Sequence, residues 1–444
     1  MTSILPLATK RRRFHHKSRY GCTPCKKRKI KCDEKKPVCT SCSQRSVKCS
    51  FKDLYPALEI PELSTVAIAK PSKTNAIGVP AQVSGSGVIL SFCRLGTRDL
   101  ELYCHFQIYT ATAFTSPGLP SLEKLFREEI PNISDSFPFL GHGMLSFAYV
   151  HLASLSAPET SKKLLIESAF HFNQALPGYL ETINNINMSN SSALFGFAIF
   201  VVLISFANCS EESGILLQMA RDQPHYKRDE TIRGLAIVAA RVARSIQNIF
   251  GIFWRCQQWI SSGPLSPAIQ RYIPPTINKR QIEWIRKEDE CLAGLNSLWE
   301  DDPMVSLAHS CALSASLACL RDTFTMVTQL TVLLHPTDGE ESEVDTQGND
   351  LARIHRELSA GRIDDIQSVF TWYVRLSPEF IGLMEEGNAY AMVVLAHFAI
   401  LLDRACSDRW WVHRLSQRFL AIAELVLGGD RREWIHWPLM VVTG

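Results

Sequence analysis

The chain has 444 residues, 46% of them apolar and 20% charged, which favours a folded protein of two or three domains over an unfolded chain. Its net charge of +3 hides an asymmetry, because residues 1–52 hold 16 Lys and Arg against 2 Asp and Glu, whereas the other 392 residues carry a net charge of −11. A basic end on an otherwise acidic chain indicates contact with nucleic acid or with an anionic membrane surface.

The N-terminal tail, residues 1–19, shows no secretory signal. Its only apolar run covers residues 4–8, and the positive charges follow that run instead of preceding it. Without export, closely spaced cysteines are expected to be metal ligands instead of disulfides. The basic segment that follows is interpreted as a nuclear import signal, an extra phosphate contact or a solvated tail, and its import candidates are Lys10, Arg11, Arg12 and Arg13.

A block of six cysteines comes next, with the pattern C-x2-C-x6-C-x6-C-x2-C-x6-C. The block is an internal repeat of period 17, in which CTPCKKRKIKC aligns with CTSCSQRSVKC. Two related half-sites of this kind predict two metal ions. The ligand candidates are Cys22, Cys25, Cys32, Cys39, Cys42 and Cys49.

Counting sulfur atoms sharpens this prediction. A structural zinc takes four ligands, so two zinc ions need eight metal–sulfur bonds, and six cysteines provide eight only when two sulfurs bridge. Cys22 and Cys39, the first cysteine of each repeat, are the symmetric candidates for bridging. A disulfide or redox cluster is a weaker alternative, because no export signal precedes these strictly spaced cysteines. A metal-storage role is also weaker, because storage does not require the basic residues placed between them.

Positive charge is concentrated in the first repeat. The segment KKRKIK between Cys25 and Cys32 has five cations, whereas SQRSVK between Cys42 and Cys49 has two. A short helix beginning near Thr23 would project these cations outward into a DNA major groove, where Lys or Arg donates to guanine. The predicted DNA contacts are Lys26, Lys27, Arg28, Lys29 and Lys31.

Residues 19–51 resemble the fungal Zn2Cys6 binuclear cluster domain of zinc-cluster transcription factors, in every cysteine gap and in RK-x-KCD before the loop. The resemblance implies two short helices with loops over residues 20–52, two Zn²⁺, and bridging by the first and fourth cysteines. It also implies base contacts from Lys29, with Arg28 beside it, to CGG-type half-sites of double-stranded DNA. A nuclear location and contact with the transcription machinery follow from the same resemblance.

Residues 53–97 are rich in Pro, Gly and Ser without a steady period, which predicts a mostly disordered linker. Relatives often carry a coiled coil in this region. No leucine heptad is sustained here over three turns, so dimerisation stays an open question.

From about residue 98 to 444, long apolar runs bounded by Gly or Pro predict a large all-α regulatory or effector domain. The uncharged stretch of residues 193–207 has 15 residues and lacks flanking Lys or Arg, which favours a buried helix over a membrane span. Cys311 and Cys319 are interpreted as small core residues, and His142, His151 and His171 as packing or surface residues. No phosphate loop, zinc-protease motif or nucleophile elbow is found, so we do not expect an enzyme.

This region resembles, in patches such as SSGPLSP and WIHWP, the sterol uptake control protein branch of zinc-cluster regulators. The resemblance implies a regulatory helical domain that takes a sterol-like ligand, with target genes for sterols, lipids or secondary metabolites. A lipophilic pocket is hypothesised near the end of the chain, although an aromatic set of this kind is more often core. Its candidate residues are Phe398, Trp410, Trp411, Trp434 and Trp437.

Together these features predict a zinc-dependent, sequence-specific regulator of RNA polymerase II genes that does not span a membrane. The alternative is an adaptor whose zinc cluster binds protein without reading DNA. A second rival is an enzyme tethered to DNA by its cluster, and it lacks a catalytic motif to support it.

Overall fold

The computed structural model describes residues 22–33, 39–45, 47–50, 96–114, 120–222, 228–270, 279–333, 350–363, 365–406 and 409–443. The chain divides into two compact units, Met1–Gln82 and Val83–Gly444. We call the first the cluster unit and the second the helical unit. The predicted linker lies outside the described residues except at its end, where a helix begins at Thr97.

Within its described residues the cluster unit has two complete short helices, α1 (Thr23–Lys27) and α2 (Thr40–Ser43). Each helix begins directly after the first cysteine of a repeat, and each encloses the second. Pro24 lies in the first turn of α1, where its missing N–H removes no helical hydrogen bond. These helices agree with the two predicted for this segment.

The helical unit is built from helices joined by short 3₁₀ and π-helical turns. The described helices are α3 (Thr97–His105), α4 (Ala111–Phe114), α5 (Pro120–Lys124), α6 (Ile130–Ser134), α7 (Pro138–Ser154), α8 (Pro158–Thr182), α9 (Ser191–Asp222), α10 (Arg228–Ser262), α11 (Lys279–Ala293), α12 (Ser297–Glu300), α13 (Leu307–Leu330), α14 (Asp350–Ala360), α15 (Thr371–Val374), α16 (Pro378–Glu385), α17 (Ala389–Cys406), α18 (Leu415–Leu427) and α19 (His436–Val442). Two strands, β1 (Thr331–Val332) and β2 (Arg362–Ile363), pair antiparallel with Thr331 opposite Ile363.

Local sequence signals start many of these helices. Proline occupies the first turn at Pro138, Pro158 and Pro378, where its fixed backbone angle suits a helix start. Ser306 and Ser377 cap α13 and α16, each accepting a hydrogen bond from a backbone N–H three residues ahead. The helix boundaries therefore follow from the chain itself before any packing is considered.

The main apolar core of the helical unit contains α17, and a smaller buried cluster is formed by Trp284, Ile354 and Leu358. Every residue of α17 from Ala391 to Leu402 is buried, so this helix has no solvent face. A helix that is apolar on all sides is stable only when other helices surround it. Helices α13, α18 and α19 pack against it, and its Phe398 ring stacks on Trp372 at 4.5 Å between centroids.

Two further pairs of helices carry the rest of the core. The helices α7 and α8 pack against each other, as do the longer α9 and α10. Gly143 on α7 allows the close approach of α9, because a Cβ at this position would lie 2.6 Å from the Phe197 ring. Helix α10 also contacts α16, which joins these pairs to the layer around α17.

A buried ion pair crosses the core between α11 and α17. Arg404 donates to Glu288 at 2.7 Å, and both side chains are 1% exposed. Thr328 on α13 donates to the other carboxylate oxygen of Glu288 at 3.1 Å. Three helices are thus fixed around one pair of charges that water does not reach.

Three described helices are long and apolar enough to cross a membrane by length and composition alone, within Ser191–Asp222, Asp229–Ser262 and Ala389–Cys406. In the most apolar window of each, 61%, 50% and 83% of the residues, respectively, are buried inside the unit. Residues 193–207 belong to the first, α9, and Ala193, Leu194 and Phe197 are fully buried. Their burial agrees with the prediction of a buried helix.

The predicted fold class is confirmed, since the described part of the helical unit is nearly all α. One core prediction was half wrong, because Cys319 is buried whereas Cys311 is exposed. Both lie on α13, but eight residues of helix rotate by about 80° beyond two full turns. The two side chains are therefore displaced around the helix axis, and Cys311 lies nearer the exposed side of α13.

Candidate metal centre and nucleic-acid interface

The two repeats of the cluster unit cap each other's helices. Asp33, directly after the third cysteine of the first repeat, accepts the backbone N–H of Thr40 at 3.1 Å, at the start of α2. Ser50 holds the equivalent place in the second repeat, 17 residues later, and accepts the N–H of Thr23 at 2.9 Å, at the start of α1. This reciprocal capping gives the unit an approximate two-fold symmetry, and it satisfies helix N–H groups that have no partner within the helix.

The structure brings the six cysteine sulfurs together in two sets of four. Within each set the sulfur atoms all lie within 4.8 Å of one another. The sets are Cys22, Cys25, Cys32 and Cys39, and Cys22, Cys39, Cys42 and Cys49. Cys22 and Cys39 are therefore common to both sets, as the count of metal–sulfur bonds requires.

The distances between the sulfurs fit tetrahedral zinc. A zinc ion with Zn–S bonds of about 2.3 Å places its ligands about 3.8 Å apart. The Sγ atoms of Cys22 and Cys39 are 3.6 Å apart, as are those of Cys25 and Cys39 and those of Cys22 and Cys42. The donor set and its spacing therefore fit two metal ions with two shared thiolates.

The six sulfurs are buried, and burial opposes their ionisation unless a cation lies beside them. All six cysteines are at most 4% exposed, and burial raises the pKa of the Cys39 thiol to about 12. The same desolvation raises the pKa of the Cys22 and Cys25 thiols. Thiolates at this depth require positive charge beside them, and a divalent cation provides it.

The lysines predicted to contact DNA are solvent-exposed. Lys26, Lys27, Lys29 and Lys31 are all exposed. Lys29 follows the end of α1 with a backbone φ of 52°, in the left-handed region. A residue other than glycine loses about 1 kcal/mol or more of conformational free energy in that region. Backbone preference therefore does not explain why a lysine occupies this position.

Arg28 differs from these lysines. Its side chain folds back toward the cluster, where Nε donates to the Pro24 carbonyl at 3.1 Å and Nη2 donates to the Cys42 sulfur at 3.5 Å. The guanidinium group is partly buried by these contacts. The structure therefore separates Arg28 from the exposed cations with which it was grouped in the sequence. The import candidates Lys10, Arg11, Arg12 and Arg13 lie outside the described residues.

A second candidate site is an apolar cavity of about 610 Å³ in the helical unit. Its walls come mainly from α9 and α10, with Val202 and Ile249 among the lining residues. Gln257, Ser261, Gln367 and Thr371 add polar atoms, and Trp254 at its edge is 64% exposed. This volume and this mixture are typical of pockets for small apolar ligands.

The structure does not gather the five C-terminal aromatics of the hypothesised pocket around one cavity. Only Trp411 of that set lines the cavity. The others pack separately: Phe398 stacks on Trp372, Trp410 on His151, Trp434 on Tyr390, and Trp437 lies against Phe324. They lie on different elements with different partners, so they belong to the core, as base rates for aromatics suggest.

Sequence reasoning missed two features of these sites. Asp33 and Ser50 were not singled out, although their separation of 17 residues equals the period of the repeat. The walls of the cavity were also missed, because α9 is apolar on most of its surface and its sequence does not mark the side that faces open space.

Comparison with known proteins identifies the N-terminal segment. Residues 20–56 match the fungal Zn(2)-Cys(6) binuclear cluster domain. Among similar proteins, "Sterol uptake control protein 2" of Candida albicans is 48% identical over 116 residues, 26% of this chain and 15% of that protein. "Sterol uptake control protein 2" of Saccharomyces cerevisiae is 42% identical over 112 residues, 25% of this chain and 12% of that protein.

A third relative is the "Zn(2)-C6 fungal-type transcription factor afumD" of Aspergillus fumigatus, 26% identical over 145 residues, 33% of this chain and 35% of that protein. Each match thus covers at most 35% of the relative's own length. The predicted resemblance is confirmed: the chain carries the zinc-binding, DNA-binding domain type of fungal Zn2Cys6 transcription factors, and its relatives include two sterol uptake control proteins.

Proposed function

We propose that this protein is a nuclear, zinc-dependent transcription factor that reads CGG-type half-sites of double-stranded DNA. The observation that carries the proposal is the pair of four-sulfur sets sharing Cys22 and Cys39, with exposed lysines on the adjacent helix. Cys25 and Cys32 would complete one zinc site, and Cys42 and Cys49 the other. Bound zinc supplies the positive charge and the fixed tetrahedral geometry that hold α1 and α2 together.

Lys29 is the favoured base contact. Its left-handed backbone turns the chain away from the end of α1, and its side chain is exposed there. Strain of this kind at an exposed residue supports a functional role for the side chain. In a major groove the ammonium group of Lys29 would donate to guanine O6 and N7.

Lys26, Lys27 and Lys31 are proposed as phosphate contacts. They are exposed around α1, so they are able to follow a DNA backbone without reading its bases. The segment of Lys10 to Arg13 is proposed to direct nuclear import. DNA-bound protein would then act on the transcription machinery through the helical unit.

The binding test uses the full zinc-loaded chain and measures duplex affinity across salt concentrations. We expect a linear fall of log affinity with log salt, and a slope reduced by about one in each of Lys26→Gln and Lys27→Gln. Lys162→Gln is the matched control, because Lys162 is an exposed lysine on α8. Salt-independent or absent duplex binding by zinc-loaded protein would contradict the proposal and favour the adaptor.

The helical unit is proposed to sense a sterol-like ligand in the cavity lined by α9 and α10. Its apolar walls suit a rigid hydrocarbon body, and the Gln257 side chain makes no hydrogen bond to any described residue. That amide is therefore available to a ligand hydroxyl at the cavity edge. The names of the sterol uptake control relatives support this choice of ligand class.

Ergosterol is the probe for this second part of the proposal. A ligand at 100 times its Kd stabilises the folded state by about 2.7 kcal/mol, which raises the melting temperature by a few degrees. We expect this shift in the wild type and in Ile215→Trp, which changes an exposed residue of α9. Val202→Trp, which fills the cavity, should abolish it. An equal shift in Val202→Trp, or none in the wild type, would contradict the assignment.

A further inference from the structure

The two arginines at equivalent places in the repeats behave differently. Arg28 lies three residues after Cys25, and Arg45 lies three residues after Cys42, so the period of 17 superimposes them. Arg28 is partly buried and donates to Pro24 and to the Cys42 sulfur. The Arg45 side chain is exposed and makes no hydrogen bond or ion pair with any described residue. The two-fold symmetry of the unit is broken at this pair.

The contact of Arg28 crosses between the repeats and between the two metal sets. Arg28 belongs to the first repeat, whereas its acceptor, Cys42, belongs to the second. Cys42 lies in only one of the two four-sulfur sets, so its thiolate would bind a single metal. A thiolate bound to one metal keeps more negative charge than one shared by two, and it is the stronger acceptor for a guanidinium N–H.

Electrostatics favours a cation at this position. Six thiolates and two divalent metals carry a net charge of −2, inside a unit whose buried residues among those described are the six cysteines. Hydrogen bonds to ligand atoms orient the ligands and reduce the charge on them. The bond from Nε to the Pro24 carbonyl fixes the same guanidinium on α1, so one side chain links this helix to the second metal set.

We propose that Arg28 is a positioning residue that fastens α1 to the Cys42 thiolate, and that it does not read bases itself. This proposal rests on the proposed binding of two zinc ions. By fixing the end of α1, Arg28 also fixes the direction of Lys29, the next residue and the favoured base contact. Arg45 has no such role, which makes it the matched control within the same chain.

The experiment compares the full zinc-loaded chain with Arg28→Gln, Arg28→Lys and Arg45→Gln, and measures zinc transfer to a chromogenic chelator. Loss of an outer-shell partner weakens metal binding by about 10- to 100-fold, so we expect at least about tenfold faster transfer in Arg28→Gln. Arg45→Gln should stay within about twofold of the wild type. The rate of zinc transfer in Arg28→Lys should lie between those of Arg28→Gln and Arg45→Gln, because lysine keeps the positive charge but lacks the planar guanidinium group.

A spectroscopic measurement tests the contact with sulfur directly. In the cobalt-substituted chain, removing a hydrogen-bond donor from a thiolate should move its sulfur-to-metal charge-transfer band to lower energy. We expect this red shift in Arg28→Gln and its absence in Arg45→Gln. If Arg28 or Arg45 only contacted DNA, replacing it with Gln would weaken DNA binding but would not shift the charge-transfer band.

The outcomes separate this proposal from the proposed function. If the wild type holds two zinc ions, and Arg28→Gln matches it in zinc transfer and band position while losing duplex affinity, Arg28 is a DNA contact and the positioning role is overturned. If the wild type itself fails to hold two zinc ions, the proposed function is overturned, and this inference with it. Faster transfer together with the red shift, in Arg28→Gln alone, supports the proposal.

Discussion

In the cluster unit the buried side chains among the described residues are six cysteines, with Ile30 packed beside them, whereas a large apolar core runs through the helical unit. The described residues of the cluster unit bury little apolar area, so we expect metal–sulfur bonds and the hydrogen bonds around them to order this part of the chain. The helical unit is ordered by burial of apolar surface on many helices. The two units should therefore respond to different perturbations.

Metal removal should give the largest difference between the units. We expect a strong chelator to unfold the cluster unit and abolish duplex binding, because binding of structural zinc provides the folding free energy of such domains. The thermal transition of the helical unit should not change. Calorimetry and duplex titration on the same sample measure both. Duplex binding that survives metal-free dialysis would show that the cluster unit is ordered without zinc.

The next largest effect is expected at the buried ion pair. Arg404→Met leaves the buried Glu288 side chain without its ion-pair partner, which should cost about 3–5 kcal/mol in the free energy of unfolding of the helical unit. Replacing both residues by Met should restore most of that loss. Arg241→Met is the control, since its pair with Glu212 is solvent-exposed and worth at most about 1 kcal/mol.

Denaturant unfolding measures these differences, and zinc content shows whether the cluster unit is affected. A cost below about 1 kcal/mol in Arg404→Met would mean that the charges are not isolated from water. Loss of zinc in Arg404→Met would contradict the expectation that the two units are stabilised independently.

Lowering the pH should destabilise the helical unit through its buried histidines before the pH is low enough to protonate carboxylates. Burial lowers the pKa of His151 and of His397 to about 4, whereas both are near 6.5 in the unfolded chain. Between these values the unfolded state binds protons that the folded state does not, so stability falls as pH falls from about 6.5 to 4. The slope is up to about 1.4 kcal/mol per pH unit for each histidine.

Unfolding titrations at a series of pH values measure this slope. His151→Gln should reduce it, because glutamine does not titrate and is able to hydrogen-bond Thr110, the partner of His151. A stability that is constant between pH 6.5 and 5 would show that these histidines are not shielded as the structure indicates.

A smaller and more specific effect is expected at Lys29. Lys29→Gly relieves the left-handed backbone and removes the side chain, so zinc retention should not fall while discrimination against altered half-sites drops by about 1–3 kcal/mol. Lys26→Gln should weaken binding to all duplexes about equally. Competition between matched and altered duplexes measures both variants. The reverse pattern would exchange the roles of the two lysines.

The comparison of the units also shows what a sequence is able to predict. Metal ligands are set by local spacing, so the period of 17 places Cys22 and Cys39 in equivalent roles before any coordinates are known. The start of α1 at Thr23 and the all-α class follow from local signals in the same way. These features depend on neighbours along the chain.

The remaining features depend on long-range packing. The position of the cavity is decided by how α9 and α10 pair with the segment around Phe370, which no local pattern encodes. The inward turn of Arg28 depends on a sulfur from the other repeat, and the sequence alone places Arg28 with the exposed cations. Tryptophans near each other in sequence, such as Trp434 and Trp437, contact different partners for the same reason.

The most direct test of the account is selection of bound sequences from random duplex DNA with the full zinc-loaded chain. The account predicts enrichment of CGG-type half-sites, and the spacing between them would show whether one or two copies bind. Enrichment should be weaker in Lys29→Gly with its zinc intact. No enrichment by a wild-type chain that holds two zinc ions would contradict sequence-specific DNA recognition.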